Sequence, residues 1–220
     1  MIFLRSLKAF LRSCIDFFYN KEIVAKKKIG TSDCWYILTD RISGEIVYSG
    51  GVGKDITFEF ALANDYGCRV YLFDPSPTGK NTIAALNMPT NIHYSPVGLA
   101  GKDSTVSFGE PVNPLEGSYR LGGEQTVEFE CRSISSLMKE NGHDQIELLK
   151  IDIEGFEYEV IEDIISNRLS IRQIAVEFHD FYKDINRSST RKAIRLLKEN
   201  GYQLIHKRGH DYTFTKFDRL

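Results

Sequence analysis

The stretch over 148–157 combines an apolar run with three carboxylates and a glycine, residue types that could perform chemistry together. Its leucines and isoleucines suit a strand that is covered on both faces within a parallel sheet. Asp152, Glu154 and Glu157 cluster where that strand should stop and a helix over 156–166 should begin. Ligands of open α/β sheets bind outside the carboxyl ends of the strands, and a buried carboxylate is costly without a cation, a metal or a hydrogen-bond donor. The segment therefore predicts a functional site.

A second group of ionisable side chains, Glu177 and His179, ends the next predicted strand. Because side chains alternate along a strand, Asp152 and Glu154 should share one side of theirs, as should Glu177 and His179. A histidine near carboxylates is a natural general base, since its pKa lies near neutrality and a carboxylate can fix its tautomer. Two alternatives stay open: a divalent metal held by Asp152, Glu177 or His179, and a surface histidine without a role. We favour the base and take as catalytic candidates His179, Asp152, Glu154 and Glu177.

A glycine-rich loop, Gly50-Gly51-Val52-Gly53, follows an earlier strand predicted over 45–49. Glycines there let the backbone approach a ligand and present the amides of the following helix to it. Asp74 ends the next strand, 21 positions after Gly53, which is the spacing of the acid that binds ribose hydroxyls in dinucleotide-type folds. This paired spacing favours an adenosyl ligand over two independent turns. The loop is not a Walker sequence, because no G-K-[ST] follows it.

These residues need a scaffold in which strands and helices alternate. Parallel strands are predicted over 45–49, 69–73, 91–97, 146–152 and 171–178, and helices over 56–66, 78–87, 133–140, 156–166 and 188–200. The last helix should be capped by Ser188 or Ser189. A β excursion is predicted over 105–108 and 126–131, and a closing antiparallel hairpin over 202–207 and 212–216. The alternation implies an α/β fold with a mostly parallel sheet and right-handed crossovers.

Length and composition limit the class of protein. At 220 residues, with 42% hydrophobic and 26% charged residues, the chain suits one soluble α/β domain, which we place at 29–220. Its net charge of −2 gives no general attraction to nucleic acid, so no nucleic-acid partner is expected. Cys14, Cys34, Cys68 and Cys131 form no C-x-x-C pair and indicate reduced thiols in a cytoplasmic protein rather than disulfides or a zinc site.

The amino-terminal segment over 1–28 is predicted to be an amphipathic basic helix. Apolar residues recur at helical spacing from Phe3 to Phe18, and the segment has a net charge of +5, which leaves −7 for the rest of the chain. Two interpretations stay open. The helix packs against the domain or a second subunit, which we favour, or residues 1–20 make peripheral contact with an anionic membrane surface.

The sequence resembles the FkbM-type S-adenosylmethionine-dependent methyltransferases over about 45–216. The segments LLKIDIEGFEYEVIEDI (148–164) and IAVEFH (174–179) are similar to the long paired signature of that family, and its other motifs resemble VYLFDPSP (70–77), VEFECRSISSLMKENG (127–142) and GYQLI (201–205). The resemblance implies a Rossmann-like methyltransferase fold, with a mostly parallel seven-stranded sheet, an antiparallel last strand and helices on both faces. It also implies S-adenosylmethionine as cofactor and transfer of a methyl group, usually to a hydroxyl oxygen.

The glycine loop departs from the usual family form and looks more like a methyltransferase-like branch of the superfamily. Ser49 stands where the family has an acid, so Asp55 or Asp152 would have to face the ammonium group of the cofactor. By resemblance, the adenosyl group spans the glycine loop and Asp74, and the residues after the second and third strands flank the adenine. The cofactor-binding candidates are Ser49, Gly50, Gly51, Gly53, Asp55, Asp74, Pro75, Ser76, Val97, Gly98 and Asp152.

The family resemblance favours a saccharide or another small hydroxylated molecule as acceptor, with glycan modification as the leading role. Four loop residues are expected near the transferred methyl group, where aromatic and arginine side chains would suit a sugar ring or an anionic acceptor: Tyr119, Arg120, Phe181 and Tyr182. The altered glycine loop leaves an alternative open, because fold does not fix function. That alternative is a catalytically silent cofactor-binding or interaction module with the same fold.

Overall fold

The computed structural model describes residues 26–111, 117–121 and 126–217. Its strands are, in chain order, β1 (Lys27–Ile29), β2 (Trp35–Ile37), β3 (Ile46–Gly50), β4 (Arg69–Phe73), β5 (Ile92–Ser95), β6 (Gly98–Leu99), β7 (Ser104–Gly109), β8 (Arg120–Leu121), β9 (Thr126–Arg132), β10 (Ile146–Ile151), β11 (Ile171–Glu177), β12 (Gln203–Arg208) and β13 (Asp211–Thr215). Its helices are α1 (Thr57–Asp65), α2 (Pro77–Ala84), α3 (Ile134–Asn141), α4 (Glu157–Ser166) and α5 (Arg187–Glu199).

A seven-stranded sheet in the order β12-β13-β11-β10-β3-β4-β5 forms the centre of the fold. Strands β11, β10, β3, β4 and β5 pair in parallel, and β13 runs antiparallel to both of its neighbours. This confirms the predicted mostly parallel sheet with an antiparallel last strand. Because β10 lies between β3 and β11, the loops that begin with Gly51, Asp152 and Phe178 lie side by side at one edge.

Strand β10 shows most directly how the sequence determines the fold. All six of its residues are buried, as predicted for a strand covered on both faces. Leu149 and Ile151 join the core that includes α3, α4 and α5, whereas Leu148 joins the core that includes α1. Burial of each such side chain contributes about 1.5–3 kcal/mol, so an apolar run of this length specifies a central strand.

An antiparallel hairpin of β1 and β2 precedes the main sheet and is absent from the prediction. Trp35 and Ile37 are buried with α1, so the hairpin belongs to the domain. Lys27 and Lys28 lie in β1, so the predicted boundary of the basic helix at residue 28 falls inside a strand. Residues 1–25 of that helix, and with them the predicted membrane contact over 1–20, lie outside the described residues.

The predicted β excursion forms a second sheet with the order β6-β9-β7-β8. Its apolar face packs Phe108 and Phe129 against Phe156, which immediately precedes α4. Strands β6 and β8 contain two residues each and were not predicted, because so short an element shows no periodicity. The small sheet therefore stands beside the loop that follows β10.

Helix boundaries follow local capping chemistry. Ser133, predicted as the first residue of a helix over 133–140, is the cap of α3. The cap of α5 is Asn186, whose side chain accepts a hydrogen bond from the Ser188 amide. The predicted Ser188 and Ser189 caps are therefore wrong by two or three positions. In the described part of the chain, no helix has the length and apolarity needed to cross a bilayer.

Candidate functional site

A cavity of about 450 Å³ opens at the carboxyl edge of the main sheet, between the loops after β3, β4 and β10 and the small sheet. Its size suits a small-molecule ligand, and its position is the one at which α/β sheets bind ligands. The predicted site residues that line it are Gly51, Gly53, Asp55, Asp74, Pro75, Ser76, Gly98, Asp152 and Glu154.

The glycine loop passes very close to the end of β10. Gly51 has a φ of +84°, and a Cβ there would lie 1.9 Å from the carbonyl oxygen of Asp152. Only glycine fits this position, because both the left-handed backbone and the close approach exclude a side chain. At Gly53, with φ +56°, a Cβ would meet nothing within 4 Å. The loop therefore presents bare backbone to the cavity.

Asp74 holds the glycine loop in shape. Its Oδ2 accepts hydrogen bonds from the amides of Val52 at 2.8 Å and Gly53 at 3.2 Å, and its Oδ1 accepts one from the amide of Ser76 at 2.8 Å. Gly79 makes room for this carboxylate, since a Cβ there would lie 2.5 Å from Asp74 Cγ. The predicted ribose-binding acid thus borders the cavity and also organises its wall.

Three predicted cofactor contacts do not border the cavity: Ser49, Gly50 and Val97. Ser49 is fully buried, and its hydroxyl donates to Glu59 Oε1 at 2.6 Å. A Cβ at Gly50 would lie 2.4 Å from Leu99 Cδ1, so this glycine permits close packing. Val97 packs against the core. These three positions stand behind the cavity wall, and direct contact with the cofactor there stays a prediction.

Lys150 is a site residue that the sequence analysis did not select. Its side chain is 1% exposed, and its ammonium donates to the carbonyl oxygen of Gly51 at 2.6 Å. The same nitrogen lies 3.5 Å from Asp33 Oδ2 and 3.6 Å from Asp152 Oδ2. Burial alone would lower the pKa of Lys150, but Asp152, Asp33 and Glu59 raise it. A lysine among the apolar residues Leu148, Leu149 and Ile151, in a strand predicted to be covered on both faces, is the signal that could have identified it.

The loop between β1 and β2 also reaches the cavity through Ser32 and Asp33. Asp33 Oδ1 accepts a hydrogen bond from Trp35 Nε1 at 3.1 Å, and the Asp33 amide donates to Asp55 Oδ2 at 3.2 Å. The Ser32 hydroxyl donates to that same oxygen, and the Thr57 amide donates to Asp55 Oδ1 at 2.8 Å. Burial would raise the pKa of Asp55, but these hydrogen bonds hold it below its usual range. Asp55 thus fastens the loop to the start of α1.

His179 and four carboxylates form a cluster at the cavity wall, in which Asp152 and Glu154 border the cavity and His179, Glu157 and Glu177 lie behind it. Glu157 is fully buried, and its Oε1 lies 2.7 Å from His179 Nδ1. That contact places the proton on Nδ1 and directs Nε2 towards Glu154 Oε2 at 3.4 Å and Asp152 Oδ1 at 3.7 Å. Glu154, three residues after the end of β10, adopts φ +57°. The predicted meeting of these residues is observed, with Glu157 as a further member.

The environment of the histidine raises its pKa and separates it from the cavity. Burial alone would lower the pKa of His179, but the hydrogen bond to Glu157 and the neighbouring carboxylates raise it to about 9. Burial, followed by the charge of Asp152, raises the pKa of Glu177. Neither His179 nor Glu177 borders the cavity. His179 therefore stands behind the wall, whereas Glu154 and Asp152 border the cavity, and the role of His179 as the base stays a prediction.

The cluster also contains a geometry that could gather a divalent cation. One ligand atom each from Asp152, Glu177 and His179 lie within 4.8 Å of one another. Such carboxylate and imidazole donors suit magnesium or manganese, and a metal-bound histidine commonly donates its other nitrogen to a carboxylate, as His179 does to Glu157. The candidate ligands of the metal alternative are therefore Asp152, Glu177 and His179.

The wall opposite the glycine loop is aromatic. The cavity is lined by Phe108, Phe129, Phe156 and Tyr119. The ring centroid of Phe108 lies 5.4 Å from that of Phe129 and 5.1 Å from that of Phe156. Beside them, the Tyr182 hydroxyl donates to Glu154, and the Arg120 guanidinium lies 5.0 Å above the Tyr182 ring. Phe181 is 47% exposed. An apolar wall with few polar groups can hold the flat face of an acceptor and orient it.

Comparison with known proteins gives one family match and several similar proteins. The family model described as Methyltransferase FkbM domain matches residues 46–204. The human protein named Probable methyltransferase-like protein 24 is 28% identical over 136 residues, which is 60% of this chain and 32% of that protein. The rat protein of the same name is 26% identical over 171 residues, which is 73% of this chain and 42% of that protein. The chain thus spans less than half the length of these relatives.

Two solved structures illustrate the range of similar folds. A fibrillarin pre-rRNA processing protein from Methanococcus jannaschii superposes with a TM-score of 0.48 and 12% identity, covering 89% of this chain and 84% of that one. A precorrin-6y C5,15-methyltransferase from Geobacter metallireducens superposes with a TM-score of 0.41 and 12% identity, covering 80% and 81%.

Proposed function

This chain belongs to the FkbM methyltransferase domain family, whose cofactor is S-adenosylmethionine, and we propose that it methylates a hydroxyl oxygen of a saccharide or another small hydroxylated acceptor. One observation supports this proposal above the others. A single cavity extends from the glycine loop and Asp74 to Asp152 and Glu154, so an acceptor hydroxyl can meet a carboxylate inside the cofactor site.

The residues present fit the cofactor. The bare backbone at Gly51 and Gly53 leaves the loop open to close approach, and the carboxylate of Asp74 is held at the rim by three amides. Asp74 would hold the ribose hydroxyls. Pro75 and Ser76 would flank the adenine, and Asp152 would face the methionine end. When bound, the cofactor supplies an electrophilic methyl group.

Glu154 is the residue we assign as the base that takes the hydroxyl proton. It borders the cavity, whereas His179 lies behind it, and a base must come within hydrogen-bond reach of the proton it removes. The Tyr182 hydroxyl and the left-handed backbone at Glu154 fix the carboxylate in place. His179 acts as a positioning residue that presents a cation to Glu154 and Asp152.

The aromatic wall supports a ring-shaped acceptor. Phe108, Phe129 and Phe156 offer a continuous apolar surface to the cavity, and Tyr119 and Ser118 add hydroxyl groups at its border. Sugars present an apolar ring face and hydrogen-bonding hydroxyls at once, which matches this combination. The acceptor would lie with one hydroxyl directed at Glu154.

Titration calorimetry with S-adenosylhomocysteine and S-adenosylmethionine tests the cofactor site. We expect both to bind, and NAD to give no heat under the same conditions, because the loop lacks the final G-x-x-G spacing of the nicotinamide fingerprint. A folded protein that binds neither adenosyl compound would contradict the proposal. Binding without methylation of any hydroxylated acceptor in a broad glycan screen would favour the catalytically silent module instead.

Removal of divalent cations tests the metal alternative. We expect turnover to be unchanged in EDTA, because the His179 imidazole and the Lys150 ammonium already face the cluster carboxylates as cations. The measurement compares initial rates before and after chelation, with zinc, magnesium and manganese added back separately. Loss of activity that magnesium or manganese restores would identify Asp152, Glu177 and His179 as metal ligands.

A further inference from the structure

We propose that Asp33, from the loop between β1 and β2, binds the ammonium group of the cofactor's methionine part in place of the acid that is missing at Ser49. The inference rests on the proposed function, because it concerns the same cofactor site. It assigns a ligand-binding role to a segment that precedes the matched family region at 46–204.

Asp33 is positioned to face a ligand. Its side chain is 30% exposed and lines the cavity. Trp35 Nε1 donates to Oδ1 at 3.1 Å, and the Lys150 ammonium lies 3.5 Å from Oδ2. The amide of Asp33 is itself tied to Asp55 at 3.2 Å. The carboxylate is therefore held in one orientation before a ligand arrives, which lowers the entropic cost of binding.

The position of Asp33 corresponds to the methionine end of the cavity. Asp74 follows β4 on one side of β3, and Asp152 follows β10 on the other side. A ligand whose ribose lies at Asp74 therefore extends across Gly51 towards Asp152. Asp33 and Asp152 both lie within 3.6 Å of the Lys150 ammonium, so Asp33 stands at the Asp152 end of that path.

The charges at this end favour a further cation. The cavity is lined by Asp33, Asp55, Asp152 and Lys54, and the buried Lys150 ammonium lies within 3.6 Å of Asp33 and of Asp152. The Lys150 ammonium is already engaged by the carbonyl oxygen of Gly51. One buried ammonium therefore serves both Asp33 and Asp152, and a ligand ammonium at the exposed side of Asp33 would gain a charge-assisted hydrogen bond.

Asp33 is better placed than the two acids that the sequence suggested. Both oxygens of Asp55 accept hydrogen bonds that fasten the hairpin loop to α1. One oxygen of Asp152 faces His179 and the other faces Lys150, so Asp152 lies where the methyl group would be transferred. Both oxygens of Asp33 are also engaged, by Trp35 and Lys150, but its carboxylate keeps exposed surface that borders the cavity. Ser49 cannot serve, because it is buried against Glu59.

A series of three ligands tests the assignment by calorimetry on the full chain. S-adenosylhomocysteine has both charged groups of the amino acid, its decarboxylated analogue keeps the ammonium alone, and 5′-methylthioadenosine has neither. We expect Asp33→Asn to weaken the binding of S-adenosylhomocysteine and of its decarboxylated analogue by about tenfold or more, as for loss of one charge-assisted hydrogen bond. Binding of 5′-methylthioadenosine should change by less than about twofold, because that ligand has no charge for Asp33 to meet.

Matched variants separate binding from folding. Asp65→Asn removes a carboxylate from the exposed end of α1, outside the cavity, and should leave all three affinities unchanged. Asp33→Ser should show the same loss of affinity for the two ligands that carry an ammonium group. Agreement between the two variants would show that the loss does not come from the asparagine amide. Equal weakening of all three ligands, or no weakening of S-adenosylhomocysteine, would overturn the proposal. If the wild-type protein bound no adenosyl ligand, the proposed function itself would fail, which is a distinct result.

Discussion

Substitution of Glu154 by glutamine is expected to lower kcat by about 10²–10³-fold, the range for loss of a general base, while the Kd for S-adenosylhomocysteine stays within about threefold. The carboxamide keeps the size of the side chain and its contact with Tyr182, but it cannot take a proton. Initial rates with an accepted substrate, together with calorimetry, measure the two quantities separately.

A matched control and a competing assignment sharpen this test. Glu159→Gln changes an exposed carboxylate in the first turn of α4 and should leave both rate and affinity unaltered. If Glu154→Gln remained active and His179→Ala lost activity, the base would be the histidine. In that case kcat would also rise with pH through about 9, because the pKa of His179 is raised to about 9 and only its neutral form accepts a proton.

The sequence predicts most of the fold, because the long elements have strong local signals. The apolar run of β10 and the alternation of strands with helices reappear with boundaries shifted by only a few residues. The hairpin of β1 and β2 was missed, since its three-residue strands are too short for periodicity to register. Its place in the domain depends on Trp35 and Ile37 packing against α1, a contact between distant parts of the chain.

The sequence predicts which residues of the candidate site lie at the strand ends, but it does not predict which of them border the cavity. Asp152 and Glu154 were expected to share one side of a strand, yet β10 ends at Ile151 and Glu154 turns through φ +57°. Whether a side chain borders a cavity or stands behind it depends on such turns, which alternation cannot describe. For the same reason the buried position of His179 was not foreseen. Lys150 was missed because a charged residue in a strand usually signals an exposed face.

Substitution of Asp74 by alanine is expected to weaken binding of S-adenosylhomocysteine by about 1.5–3 kcal/mol, or roughly 10–150-fold in Kd. The variant would lack the carboxylate that makes charge-assisted hydrogen bonds to the ribose hydroxyls. The substitution also leaves the amides of Val52, Gly53 and Ser76 without their acceptor. The free energy of unfolding should therefore fall by about 1–3 kcal/mol, which denaturant titration without ligand measures.

Asp103→Ala separates these two effects. Asp103 Oδ1 accepts a hydrogen bond from the amide of Ser133 at 2.8 Å, in a comparable local role, but the residue lies outside the cavity lining. We expect this variant to lose stability without losing affinity. If Asp74→Ala lost stability alone and bound the ligand as tightly as the wild type, Asp74 would be a support for the loop and not a ribose ligand. A loss of affinity well beyond that of Asp103→Ala would show that binding depends on Asp74 itself, through its contact with the ribose or through the glycine loop that it holds.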